Sequence, residues 1–260
     1  MRHVGIDGCR AGWIAVSRGP QGLTYRIDSD LAGLIGHFSD AERIFIDVPI
    51  GLPWAEAPVR PCDAAARRAL GAPRCSSVFP TPCREALAAA DYVTASQKNF
   101  ECLGWKLSKQ TWGILPKIAE ADRLLRETRS GALREVHPEV CFWALAGEQP
   151  MRYSKRTPQG RRERLEVLLR YEPGVAALRL DALRNTRRTD VKEDDLLDAA
   201  VVFLTAEAKD GTLAVLAGRP AQDTEGLPIE MVYLRTGAKS PTATITASSH
   251  PGTRTPGQRR

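Results

Sequence analysis

The chain has 260 residues, 43% of them hydrophobic, a formal net charge of +6 and a pI near 9.1. That length buries a sizeable core as one large domain or two small ones. No apolar run approaches the ~20 residues needed to cross a bilayer, and no signal peptide is read before the first strand, so a cytoplasmic protein is expected. Six cysteines show no C-x-x-C pair. They are read as free thiols, and Cys62, Cys75 and Cys83 lack the spacing of a zinc finger. The mild basic excess is compatible with a polyanionic partner or with an ordinary solvated surface.

The first stretch, Val4-Gly5-Ile6-Asp7-Gly8-Cys9, alternates apolar residues into an aspartate and then glycine. A second apolar run starts at Trp13. The pattern predicts a strand, a tight turn and an antiparallel partner. Asp is disfavoured inside strands. Asp7 is therefore either a turn residue bonded to its own backbone or a carboxylate displayed at a sheet end for a cation. A third strand of the meander is expected over 23–27, and Asp30 is expected to cap a short helix with Leu31, Leu34, Ile35 and Phe38 on one face.

The run 43–48, Arg-Ile-Phe-Ile-Asp-Val, reads as a buried parallel strand that also ends in an aspartate, Asp47, before Pro49 turns the chain away. A meander, a crossover helix and a parallel strand place the fourth strand beside the first, so Asp7 and Asp47 are expected as neighbours. Two adjacent carboxylates repel unless a cation or a shared proton compensates. Residues 54–130 read as a helical insertion after this strand, with one helix near 63–70. Within the insertion, Phe100, Trp105 and Trp112 interleave with Lys98, Lys106 and Lys109. These aromatics either stack on a nucleic-acid strand or form the insertion's own core. Pro116 is expected to open an amphipathic helix.

A further strand is expected through Val136, followed by a helix from Pro138 to Leu145 that begins with Glu139. His137 reads as a structural hydrogen bonder. The basic loop 151–164 contains Lys155 and Arg156 and leads into a helix through Tyr171. It is read either as a phosphate contact or as a plain surface loop. A helix over 190–204 is apolar for most of its length yet acidic at its start. Capping explains acids in a first turn but not Asp198, which enters the apolar part and needs a partner. Asp195 and Asp198, three apart, share a face, and Asp194 is also four before Asp198. Residues 213–216 suggest a closing strand. The segment 236–260 has the composition of a disordered tail after a single domain over 1–235.

Acids on the first and fourth strands and at the start of the last helix resemble a ribonuclease-H-like site. More narrowly, G-I-D-G-C-R-A-G-W at 5–13, I-D-V-P-I-G-L-P at 46–53, H-P-E at 137–139, S-K-R-T-x-x-G at 154–160 and D-D-L-L-D-A at 194–199 resemble the domain-of-unknown-function-429 family, described as predicted nucleases. The resemblance implies an α/β fold. It would be a ribonuclease-H-like mixed five-stranded sheet, with a three-strand antiparallel meander plus two parallel strands, flanked by helices. The expected activity is that of a two-metal nuclease or phosphodiesterase on DNA or RNA. Two Mg²⁺ or Mn²⁺ ions ~3.5–4 Å apart would be held by Asp7, Asp47, Glu139, Asp195 and Asp198. Lys155 and Arg156 would bind a phosphate. The alternatives are a nucleotide-binding phosphotransferase of the actin and sugar-kinase type, or a catalytically silent nucleic-acid-binding module.

Overall fold

The computed structural model describes residues 2–128 and 131–235; the segment read as a tail, 236–260, lies outside them. The chain begins with a meander, β1 (Arg2–Cys9), β2 (Gly12–Gly19) and β3 (Gly22–Asp28), then α1 (Leu31–His37) and β4 (Ala41–Ile46). Next come α2 (Pro61–Arg74), α3 (Tyr92–Leu103), α4 (Lys109–Thr128) and β5 (Leu133–Glu135). The helices α5 (Pro138–Leu145), α6 (Pro158–Tyr171), α7 (Val175–Asn185) and α8 (Glu193–Ala206) follow. The described part closes with four short strands: β6 (Leu213–Val215), β7 (Ala221–Gln222), β8 (Pro228–Ile229) and β9 (Val232–Leu234).

The sheet is five-stranded, in the order β3-β2-β1-β4-β5. β1 pairs antiparallel with β2 and parallel with β4, and β4 pairs parallel with β5. The expected meander plus two parallel strands is therefore what the chain forms. Strand periodicity assigns the faces. Val4, Ile6, Trp13, Ala15, Ile44 and Ile46 pack with α1 and α4 through Leu31, Leu34, Ile118, Ala121 and Leu125. On the opposite face, Ile14 and Val16 meet Leu196, Ala199 and Phe203 of α8, and Phe45 meets α5, α6 and the other side of α8. The result is a helix–sheet–helix sandwich.

α8 lies directly on the central strand. A Cβ at Gly5 would come within 2.0 Å of the Phe203 backbone nitrogen and 2.6 Å of the Ala199 carbonyl oxygen. Only glycine permits that approach.

Three sequence expectations shift. α4 starts at Lys109 rather than at Pro116, because the Ser108 hydroxyl accepts the Thr111 N–H at 3.0 Å and caps the helix. Pro116 sits inside it. The strand expected over 213–216 is β6, which pairs with β9 in a separate ribbon rather than with the five-stranded sheet. That ribbon meets the main sheet through one parallel bridge from Val136 to Val232. The helices α3 and α7 had no counterpart in the sequence reading. Trp105 and Trp112 pack against the small core of the region around α3, as the core reading of these aromatics expected, whereas Phe100 is exposed.

Candidate carboxylate site

The face assignment of the strands dictates the site. Gly5 faces α8, so Asp7, two residues on, faces it too. Phe45 faces α8, so Asp47 does as well. The registry puts Ile6 opposite Ile46, and the Asp47 N–H donates to the Ile6 carbonyl at 3.0 Å. The two aspartates are thereby neighbours at the carboxyl ends of parallel strands, where open α/β sheets collect ligands. On α8, Ala199 and Phe203 touch Gly5. Asp195 lies one turn before Ala199 and Asp198 directly before it, and both come close enough to act on the Asp7 carboxyl.

Each carboxylate has a distinct environment. Asp7 is buried, and its Oδ1 accepts the Gly8 N–H at 2.8 Å. Burial and the nearby charges of Asp47 and Asp198 push its carboxyl well above the usual carboxylate range. Asp47 is raised as well, first by burial, against the opposing influence of His137 and Lys155. Two carboxyls this close repel when both are charged, unless a cation or a shared proton compensates.

Asp198 is only 1% exposed. Its Oδ2 pairs with the Lys155 ammonium, while its Oδ1 is buried with no hydrogen-bond partner. Burial pushes it up to about 6 against the pull of Lys155. Glu139, in the first turn of α5, is also buried. Its Oε1 pairs with Arg164 and its Oε2 has no partner. Asp195 is half-buried and caps its own helix, with Oδ2 accepting the Lys192 N–H at 2.9 Å. Of the two candidates at that turn, Asp195 and not Asp194 lines the cleft.

These groups surround a cleft of about 440 Å³, within the range that takes a nucleotide-sized ligand. Asp7, Asp47, Glu139, Lys155, Arg156 and Asp195 line it, and Asp198 lies beneath, reached through Lys155. Lys155 is held in place by a folded-back loop. A Cβ on Gly160 would come within 2.0 Å of the Ser154 carbonyl oxygen, and Arg164 donates to the carbonyls of Tyr153 at 3.1 Å and Gly160 at 2.9 Å. The opposite wall comes from the stretch read as an insertion: Arg74, Ser76, Ser77, Gln110 and Lys117.

All seven residues named from sequence therefore belong to one locality, although Arg156 is exposed at its rim. The tight three-donor groups, with ligand atoms within 4.8 Å of one another, lie elsewhere among the described residues: Cys83, Glu85 and Cys102, and Cys62, Asp63 and Glu135. The carboxylates of the cleft are more widely spread around Lys155.

Sequence reasoning missed two cations. Arg164 is fully buried, and it was legible as a charge on the inward stripe of α6, which runs Gly160, Arg164, Val167, Leu168. Lys117 donates to the Gly12 carbonyl and lies 4.3 Å above the Trp13 ring. Nothing in its own sequence neighbourhood announces that role. His137 caps α5, its Nδ1 accepting the Glu139 N–H at 3.2 Å.

Among the described residues no helix is long and apolar enough to cross a membrane. No curated protein and no solved structure matches the chain. One family profile, described as "Protein of unknown function (DUF429)", matches residues 5–222, a span that takes in both strand-end aspartates, Glu139, the Lys155 loop and the acids of α8. The chain belongs to the DUF429 family.

Proposed function

We propose that this protein is a metal-dependent phosphodiesterase acting on nucleic acid. The observation that carries the reading is a pair of buried carboxylate oxygens, Asp198 Oδ1 and Glu139 Oε2, left without hydrogen-bond partners beside two further strand-end carboxylates. Buried anionic oxygens are costly unless paired. The donor set is all oxygen, which suits a hard divalent cation such as Mg²⁺ or Mn²⁺ and not a thiophilic one. Asp7, Asp47 and Asp198 would hold such ions, with Glu139 and Asp195 at the flanks. When bound, they would supply a water acidified to near-neutral pKa and counter-charge for a phosphoryl oxygen.

The chain's own groups have separable tasks. Asp7 and Asp47 would be the strand-end ligands, their mutual repulsion relieved by the cation. Lys155 neutralises Asp198 in the resting site and lies at the cleft surface, where its release leaves a cation facing a phosphate. Arg74, Lys117 and Arg156 add positive charge around the opening, which favours a polyanion. His137 and Arg164 are positioning groups: one sets the first turn of α5, the other holds Glu139 and the Lys155 loop together.

One observation favours a second reading. Lys155 already neutralises Asp198, so the fold has the means to stand as a catalytically silent nucleic-acid-binding module. A screen of single-stranded, double-stranded, hybrid and branched substrates with Mg²⁺ and Mn²⁺ separates the two. Metal-dependent cleavage that disappears in Asp7→Asn supports the enzyme. Polyanion binding indifferent to chelator, with no cleavage of any substrate, supports the silent module.

A further inference from the structure

A second cluster of chemistry-bearing side chains lies away from the cleft, in the small region around α3. Cys83 precedes a short 3₁₀ turn, Arg84–Ala86, and Cys102 is the penultimate residue of α3. One ligand atom from each of Cys83, Glu85 and Cys102 lies within 4.8 Å of the others. Cys83 is fully buried, Cys102 half-buried, and Glu85 stands at the surface. The Cys83 thiol donates to the Lys98 carbonyl at 3.9 Å. Two thiols and a carboxylate with ligand atoms this close supply the three donors of a tridentate cation site.

The surroundings hold these groups in place. The Ala86 N–H donates to the Cys83 carbonyl at 3.3 Å and closes the turn that carries Cys83 and Glu85. Asn99, fully buried and one turn before Cys102 on α3, locks the other half. Its Oδ1 accepts the Cys83 N–H at 2.9 Å and its Nδ2 donates to the Trp105 carbonyl at 2.8 Å. Arg84, between the two ligands of the turn, is clamped away from them by Asp122 at 2.8 Å and Asp223 at 2.5 Å. The backbone is thus fixed on both sides before any ion arrives.

We propose that Cys83, Glu85 and Cys102 form a binding site for a thiophilic divalent cation of the zinc class, with solvent completing the fourth position. Zinc accepts this mixture of thiolate and carboxylate ligands, and a three-residue set leaves one position open. Binding displaces the two thiol protons, so two sulfur–metal bonds and one oxygen–metal bond form as two protons leave. Because the ligand sulfurs must lose their protons, affinity rises with pH. A disulfide is the competing fate of two neighbouring thiols. It would need an external oxidant and would make no use of the third, carboxylate donor. The site also has a structural use. The local core consists of Cys83, Ala86, Ala95, Leu103, Leu107 and Leu115, few enough that a cation would serve as a staple.

The test is a Co²⁺ titration of the reduced full-length protein, read by absorption. The expected result is a thiolate-to-cobalt charge-transfer band with visible bands of tetrahedral intensity, saturating at one ion per chain and bleached by Zn²⁺. Cys102→Ser should lose the charge-transfer intensity. Glu85→Gln, at an exposed position that leaves the core untouched, should keep both thiols and weaken Co²⁺ by more than ~10-fold. Asp7→Asn and Cys75→Ser should titrate like the wild type, which makes failure here distinguishable from failure of the phosphodiesterase reading. Three results overturn the proposal: no sulfur band in the wild type, a band unchanged in Cys102→Ser, or a Cys83–Cys102 disulfide that forms in the presence of the metal.

Discussion

Two buried acid clusters sit close together in this protein, and they differ in how well they are satisfied. Around Glu135 every acid oxygen that faces the cluster is used. Glu135 Oε2 accepts the Ile50 N–H at 2.6 Å and pairs with Arg60, Asp63 Oδ1 accepts from Arg60 at 3.1 Å, and Asp63 Oδ2 accepts the Thr81 hydroxyl at 2.8 Å. That cluster ties the chain leaving β4 and the start of α2 onto β5. In the cleft, Asp198 and Glu139 each leave one buried oxygen unmatched, and Asp7 and Asp47 are pressed together. Burial of charge is therefore common to both, and it does not by itself mark a functional site. Incomplete satisfaction beside an open cleft is what carries the proposed function. The Cys62, Asp63 and Glu135 group, although compact enough for a metal, already has a guanidinium in the place of an ion.

The largest effect that separates the two clusters is expected from Asp7→Asn. Asn keeps the shape and loses the charge, so hydrolysis should disappear while the fold remains. In chelator this variant should melt at or above the wild-type temperature, because like charges have been relieved. Wild type should gain stability across a Mn²⁺ titration by mass action, and Asp7→Asn should gain much less. Identical Mn²⁺ responses would reduce Asp7 to a turn residue and leave the comparison without its functional half.

Next comes Arg60→Leu, which strips the counter-ion from Glu135 and Asp63. Removing one partner of a buried pair costs about 3–5 kcal/mol, so thermal melting should fall steeply. Mn²⁺ should not restore it selectively. Glu135→Gln in the same background should recover part of the loss, because the uncompensated anion is gone.

Lys155→Met probes the point where the clusters are most alike. In chelator it should destabilise the protein, since buried Asp198 loses the ammonium paired with it. Unlike Arg60→Leu, the loss should be reversed by Mn²⁺, and the Mn²⁺ midpoint should fall below that of the wild type because no ammonium competes. A Mn²⁺ midpoint unchanged or raised would show that Lys155 does not stand where a cation would.

A smaller effect is expected from pH. The Asp198 carboxyl is raised from 3.8 to about 6 in the folded protein, so the folded state holds a proton that the unfolded chain has released. Its contribution to stability is full below about pH 4 and is lost as pH rises through about 6. Melting of the metal-free protein should register that loss between these limits, against the opposing titration of surface carboxylates. Asp198→Asn should remove the dependence. Mn²⁺ binding should weaken on acidification through the same window. The smallest effect belongs to Arg156→Ala, at the exposed rim, which should leave melting unchanged and lower the salt slope of polyanion binding by about one.

Much of this was legible in the amino-acid sequence because the signals are local. Alternation with period two marked β1 and β3, continuous apolar runs marked β2 and β4, and an acid ending an apolar strand marked Asp7 and Asp47. An acid inside an apolar helix marked Asp198. A capping residue, Asp30, fixed the start of α1. What was missed depends on partners distant in the chain. Pro116 read as a helix start only because the Ser108 cap, two turns earlier, had not been weighed. The run 213–216 read as part of the sheet because its true partner, β9, is a three-residue strand nineteen positions on with no strong pattern of its own. Cys83 and Cys102 are nineteen residues apart within no known ligand spacing, and only the packing of α3 on the turn at Arg84–Ala86 brings them together.

The sequence by itself determined the strands, their faces and the presence of acids at their ends, because backbone periodicity and the cost of a buried charge act through neighbours in the chain. The tertiary structure decided which acids are satisfied. Glu135 and Glu139 are four residues apart and both are buried, yet one is sealed by Arg60 and a backbone N–H and the other keeps a free oxygen toward a cleft. That difference rests on Arg60, Arg164 and Lys155 arriving from remote elements, and on Gly5 letting α8 press Asp198 against the end of β1. Partner geometry of this kind is a property of the packed molecule, since the energy of a buried ion depends on where its counter-charge stands in space and not on where it stands in the chain.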